Sequence, residues 1–125
     1  MNTFAKLFCG AVAALAVAAC GSSTDDRPET AAYISAAILA PQCGTASCHA
    51  SGTASHGLVF DTVADSIPSL QSIVQPGDPS PVASELVDVI TTTGRHVMPP
   101  DHPLPTVDID LITRWIADGA EGLNP

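Results

Sequence analysis

The stretch CGTASCHA, residues 43–50, decides how the rest of the chain is read. Two cysteines, Cys43 and Cys48, bracket four small residues, and His49 follows the second at once. Three chemistries gather two thiols and an imidazole on so short a turn. A disulfide would close it, with little entropic advantage because the loop is short. A zinc ion would recruit Cys43, Cys48, His49 and His56, although the paired cysteine spacing of zinc modules is missing. A covalent haem would take both thiols as thioethers and His49 as an axial iron ligand. That last arrangement needs the second cysteine and the histidine to be neighbours, so that one turn fixes both the ring edge and the iron. Cys48 and His49 are neighbours. Four residues separate the cysteines, where the common haem motif has two. Gly44, Thr45, Ala46 and Ser47 are all small, so the surplus can bulge outward.

The residues upstream point to a compartment. Lys6 precedes an apolar run over residues 7–19, too short to span a bilayer as a helix, and Asp25, Asp26, Arg27 and Pro28 follow. A charged start, an apolar middle and small residues before a break describe an export signal, expected over residues 1–19. Val17, Ala18, Ala19, Cys20 and Gly21 resemble the lipobox of bacterial lipoproteins. That resemblance implies acylation of Cys20 and a lipid anchor in place of a membrane-spanning helix. Gly21 in place of Asp resembles lipoproteins sent on to an outer membrane, so the expected location is the cell envelope, on the periplasmic side of the outer membrane or at the cell surface. Cys9 leaves with the signal and Cys20 is acylated on this view. Cys43 and Cys48 then remain as a pair in an oxidising compartment, where lone thiols do not last.

Residues 20–125 are enough for one domain and one core. The formal charge of the whole chain is −9. Such acidity argues against a nucleic-acid partner, which requires a basic face. Beyond the signal the chain has one Phe (Phe60), one Tyr (Tyr33) and one Trp (Trp115). Aromatic rings normally supply much of a core's buried area. A large apolar bound group would make up that shortage.

Residues 20–30 read as a polar, flexible tether and residues 31–125 as the domain. A first helix is expected over residues 29–40, with Thr30 as N-cap and Pro41 as its stop. A second lies within residues 62–73, broken at Pro68, and a turn cluster follows at residues 75–79. Ser84 caps a third helix over residues 85–90. The stretch TTTGRHVMPPDHPLP, residues 91–105, is too rich in proline to be regular. In the last helix Asp108 and Asp110 sit where the helix dipole favours negative charge. Ile109, Ile112 and Ile116 form its stripe, beside Leu111 and Trp115, and Gly119 stands at the expected C-terminal cap. No period-two strand is found, so the domain reads as all-α.

Beyond the signal the chain holds a single methionine, Met98, in the proline-rich loop. A weak thioether–iron bond requires a loop that is already restricted, and Pro99 and Pro100 restrict this one. Met98 is therefore the candidate sixth ligand, and His96, two residues away, is its rival. His56, His96 and His102 are expected in solvated loops.

The chain from about residue 36 to 120 resembles small bacterial class I-like c-type cytochromes, especially the domain of exported planctomycete and myxobacterial proteins. The blocks that carry the resemblance are residues 43–49, 57–60, 75–79, 84–86, 98–100 and 115–120, in that order. It implies a small cytochrome c-like fold around one covalently bound haem c. Cys43 and Cys48 would attach the haem, His49 would be the proximal ligand and Met98 the distal one. The first and last helices would pack together beside it, with Trp115 in the contact. The implied function is one-electron transfer by a membrane-anchored carrier, toward a redox partner whose basic face the acidic surface would steer. With both axial positions filled the protein would not be an enzyme; without Met98, a five-coordinate haem could turn over peroxide. The alternative is a haem-free helical envelope lipoprotein stapled by a Cys43–Cys48 disulfide. No Ser-His-Asp set, phosphate-binding glycine loop or framed pair of catalytic carboxylates is found.

Overall fold

Four helices carry the chain in the computed structural model, which describes residues 25–125, and no strand occurs among the described residues. The domain is therefore all-α, as expected. The expected signal, the acylation site Cys20 and the first part of the tether lie outside the described residues. No helix among the described residues is long and apolar enough to cross a membrane.

Helix α1 covers residues 31–42 as three joined pieces: α-helical Ala31–Ile34, π-helical Ser35–Leu39 and α-helical Ala40–Gln42. Thr30 caps it as expected, its hydroxyl oxygen accepting from the Tyr33 N–H at 3.2 Å. Pro41 does not stop the helix at Ala40, contrary to expectation. Proline in a regular α-turn clashes with the carbonyl four residues back. Here the Ala40 N–H reaches five residues back to the Ser35 carbonyl, and the widened π turn precedes the ring. The helix ends where the Cys43 and Gly44 N–H groups both donate to the Leu39 carbonyl, at 2.7 and 2.9 Å.

Helix α2, Val63–Ile73, also passes through its proline. Pro68 forfeits one backbone hydrogen bond and costs about 3 kcal/mol. Burial of Leu70 and Ile73 contributes about 1.5–3 kcal/mol each. The Thr62 cap, accepting from the Asp65 N–H at 3.1 Å, adds about 1 kcal/mol. Burial wins, so the expected break is absent.

Helix α3 is Glu85–Thr91 and α4 is Thr106–Ala117. Ser84 stands at the N-cap of α3, but its hydroxyl does not cap the helix. It accepts from the Gln75 N–H at 2.9 Å and donates to the Asp78 carbonyl at 2.7 Å, fastening the turn cluster instead. Helix α4 starts ahead of Asp108, which lies in its first turn. At the other end Gly119 has φ +100°, its N–H donates to the Ile116 carbonyl, and the Ala120 N–H donates to that of Trp115. This pair of bonds is a Schellman closure, the cap expected at that glycine.

Each helix packs on its neighbour in chain order, α1 on α2, α2 on α3 and α3 on α4. Ile34, Leu39, Leu70, Leu86, Ile112 and Trp115 lie in one buried cluster. Helices α1 and α4 are tied at one end through Glu121, whose carbonyl accepts from the Ala31 N–H at 2.8 Å and from the Trp115 indole N–H at 3.1 Å. Residues 25–29, expected as part of a flexible tether, are fastened to α4 by ion pairs. Arg27 meets Asp25 at 2.7 Å and Asp108 at 2.6 Å, and Arg114 meets Glu29 at 2.8 Å.

Candidate functional site

The turn after α1 lies hard against residues 60 and 61. A Cβ added to Gly44 would stand 2.6 Å from the Phe60 carbonyl oxygen and 2.8 Å from the Asp61 Cα, so no side chain fits there. The turn is closed within itself by Cys48 N–H to Thr45 carbonyl at 2.9 Å and His49 N–H to Cys43 carbonyl at 3.1 Å. It is held to the next segment by Phe60 N–H to His49 carbonyl at 2.7 Å. Thr45, Ala46 and Ser47 are exposed, so the extra residues between the cysteines bulge into solvent.

His49 is oriented by two neighbours. Its Nδ1 lies 3.3 Å from the Leu58 carbonyl, which can only accept, so Nδ1 carries a proton and, in the neutral ring, Nε2 is the nitrogen with the lone pair. The Phe60 ring meets the imidazole edge-on, with centroids 5.4 Å apart and planes at 65°. A ligand histidine is commonly fixed by such a bond from its other nitrogen.

The two thiols differ. Cys43 is buried, and burial, with a smaller contribution from Cys48, pushes its thiol up to about 11. Cys48 is half-buried, and hydrogen bonds from Thr45 and Ser47 hold its thiol below the ordinary value. They stand as separate thiols and not as a disulfide.

Met98 is hooked to the end of α3, its N–H donating to the Val89 carbonyl at 2.8 Å. Cys43, Cys48, His49 and Met98 all line one cleft of about 330 Å³. That volume falls within the range of roughly 300–1,000 Å³ usual for small-molecule and cofactor sites. Its walls are mainly apolar, from Leu58, Phe60, Ile73, Val89, Pro99 and Pro100. The four residues singled out in the sequence are thus brought together, although Met98 is 49 positions after His49.

His56 and His96 are exposed, as expected, yet both also line the cleft, whereas His102 does not. Glu85 and Asp88 stand on its rim, and sequence reasoning missed them. The available signal was helical spacing: positions 85, 88 and 89 are i, i+3 and i+4, one face of α3. Leu58 and Phe60 were missed as walls, though alternate residues of an extended segment share a face. Among the described residues no three His, Cys, Asp or Glu side chains gather as a metal-binding group, so the zinc arrangement of Cys43, Cys48, His49 and His56 is not assembled.

Two thiols, an imidazole with Nε2 available, and a thioether around an apolar slot are a donor set that suits a covalently held haem. Compared with protein-family models, curated proteins and solved structures, the chain matches none.

Proposed function

We propose that the protein is a lipid-anchored monohaem c-type cytochrome that passes single electrons in the bacterial cell envelope. The observation that carries this reading is the convergence of Cys43, Cys48, His49 and Met98 on one apolar cleft, with His49 held in the tautomer that leaves Nε2 available. A bound haem would supply a one-electron iron couple.

The roles of the side chains follow from their positions. Cys43 and Cys48 would hold the ring edge as thioethers, and the short turn between them would keep His49 in register. The Leu58 carbonyl would orient the proximal imidazole. The Val89 carbonyl would hold the Met98 loop at the cleft, where the Met98 thioether would be the second protein ligand to the iron. The apolar walls would exclude water from the iron. The formal charge of −9 would suit a basic redox partner. Acylation at Cys20 would keep the protein at a membrane.

The test is expression of the full chain in a host that matures c-type cytochromes, followed by haem staining on a denaturing gel. Wild type should stain, and the double substitution Cys43→Ala, Cys48→Ala should remove the stain. A folded, colourless wild type would overturn the reading in favour of a haem-free helical lipoprotein.

A further inference from the structure

We infer that His96 is a second iron ligand held in reserve, which takes the distal position when the Met98 thioether is withdrawn. This inference rests on the haem reading just proposed and concerns the regulation of the same site. His96 and Met98 belong to one loop and line one cleft. The loop is hooked at both ends to the last turn of α3. The Thr92 N–H donates to the Asp88 carbonyl at 2.9 Å, and the Met98 N–H donates to the Val89 carbonyl at 2.8 Å. Residues 93–97 therefore leave α3 and return beside the cleft. Gly94, at φ +86°, turns the chain there, a conformation that glycine adopts without penalty.

Among the described residues nothing anchors the His96 ring elsewhere. Among the described residues, His49 is the histidine whose ring makes a side-chain hydrogen bond, and the His96 ring makes none. Exchange requires the chain to shift by two residues, against the Met98 hook and the longer Val97 N–H to Gly94 carbonyl bond at 3.5 Å. Imidazole binds iron readily, and a histidine in place of methionine lowers the potential. The substitution would thus keep the iron six-coordinate and closed to peroxide, at the expense of driving force. His56 also lines the cleft, but its backbone is committed to a left-handed turn at φ +56°.

The test uses the haem-loaded full chain. Met98→Leu keeps the bulk of the side chain and removes the ligand. Wild type should show the near-infrared methionine–iron band. Met98→Leu should lose that band, remain low-spin in the ferric state and show a lower midpoint potential. Met98→Leu with His96→Ala should become high-spin, whereas Met98→Leu with His56→Ala should stay low-spin. Added imidazole should change the spectrum of the His96→Ala double variant and leave that of Met98→Leu unchanged, while circular dichroism shows that each variant is folded. A high-spin Met98→Leu protein, or a double variant that stays low-spin, would overturn the inference while leaving the haem reading intact. A wild type without haem would overturn both.

Discussion

Gly44 is the residue on which the geometry of the turn most depends. Its missing Cβ lets the chain lie against the Phe60 carbonyl, two residues after the Leu58 carbonyl that orients His49. Gly44→Ala should destabilise the protein by about 1–3 kcal/mol, the usual cost of overpacking a site walled by backbone. A thermal melt measures it, and an unchanged melting temperature would show that the wall yields. The same residue marks the limit of what the sequence discloses. Cys43, Cys48, His49 and Met98 were legible because thiols, imidazoles and thioethers are scarce in this chain and carry their own chemistry. The Leu58 carbonyl was not, since every residue has a carbonyl and only the folded chain selects one. Gly44 could be read as small but not as indispensable, because the atoms it avoids are 16 and 17 positions away.

At the scale of an element, capping residues announced themselves and prolines misled. Thr30 and Gly119 act within four residues of their own position, so local sequence suffices to place them. Whether Pro41 or Pro68 ends a helix depends on a change to π register in one case and on burial against the rest of the core in the other. Neither cause is local. Ser84 shows a third pattern: the position is a helix start, but its hydroxyl serves a turn six to nine residues upstream. Ser84 is fully buried, so Ser84→Ala should strand the Gln75 N–H and cost about 1–3 kcal/mol. Denaturant unfolding of the two proteins would measure the difference. If Ser84 acted only as an exposed N-cap, the loss would fall nearer 0.5 kcal/mol, the low end for that role.

For the whole molecule, the last question is what joins the segment before α1 to the domain. Asp25 and Glu29 reach Arg27 and Arg114, and Arg27 reaches on to Asp108 at the start of α4. The charges alternate along this line, so each guanidinium lies between acids. The Arg27 hydrogen bonds hold the Asp25 carboxyl down at about 2. An unfolded Asp titrates at about 3.9. A carboxyl lowered on folding contributes stability above its unfolded value and loses it as the pH falls through the folded one. The contribution of Asp25 should therefore be complete above about pH 4 and vanish toward pH 2. Asp25→Asn should lower the melting temperature at neutral pH, and the gap to wild type should close across that interval. These groups are solvent-facing, so salt should narrow the gap as well. An equal gap at neutral pH and at pH 2 would mean that the side chain acts through packing and not through charge. Because the same ion pairs fasten residues 25–29 to α4, their loss should also loosen that segment. Proteolysis near Arg27 should then quicken in step with the lost stability, at the place where an anchor on Cys20 would pull.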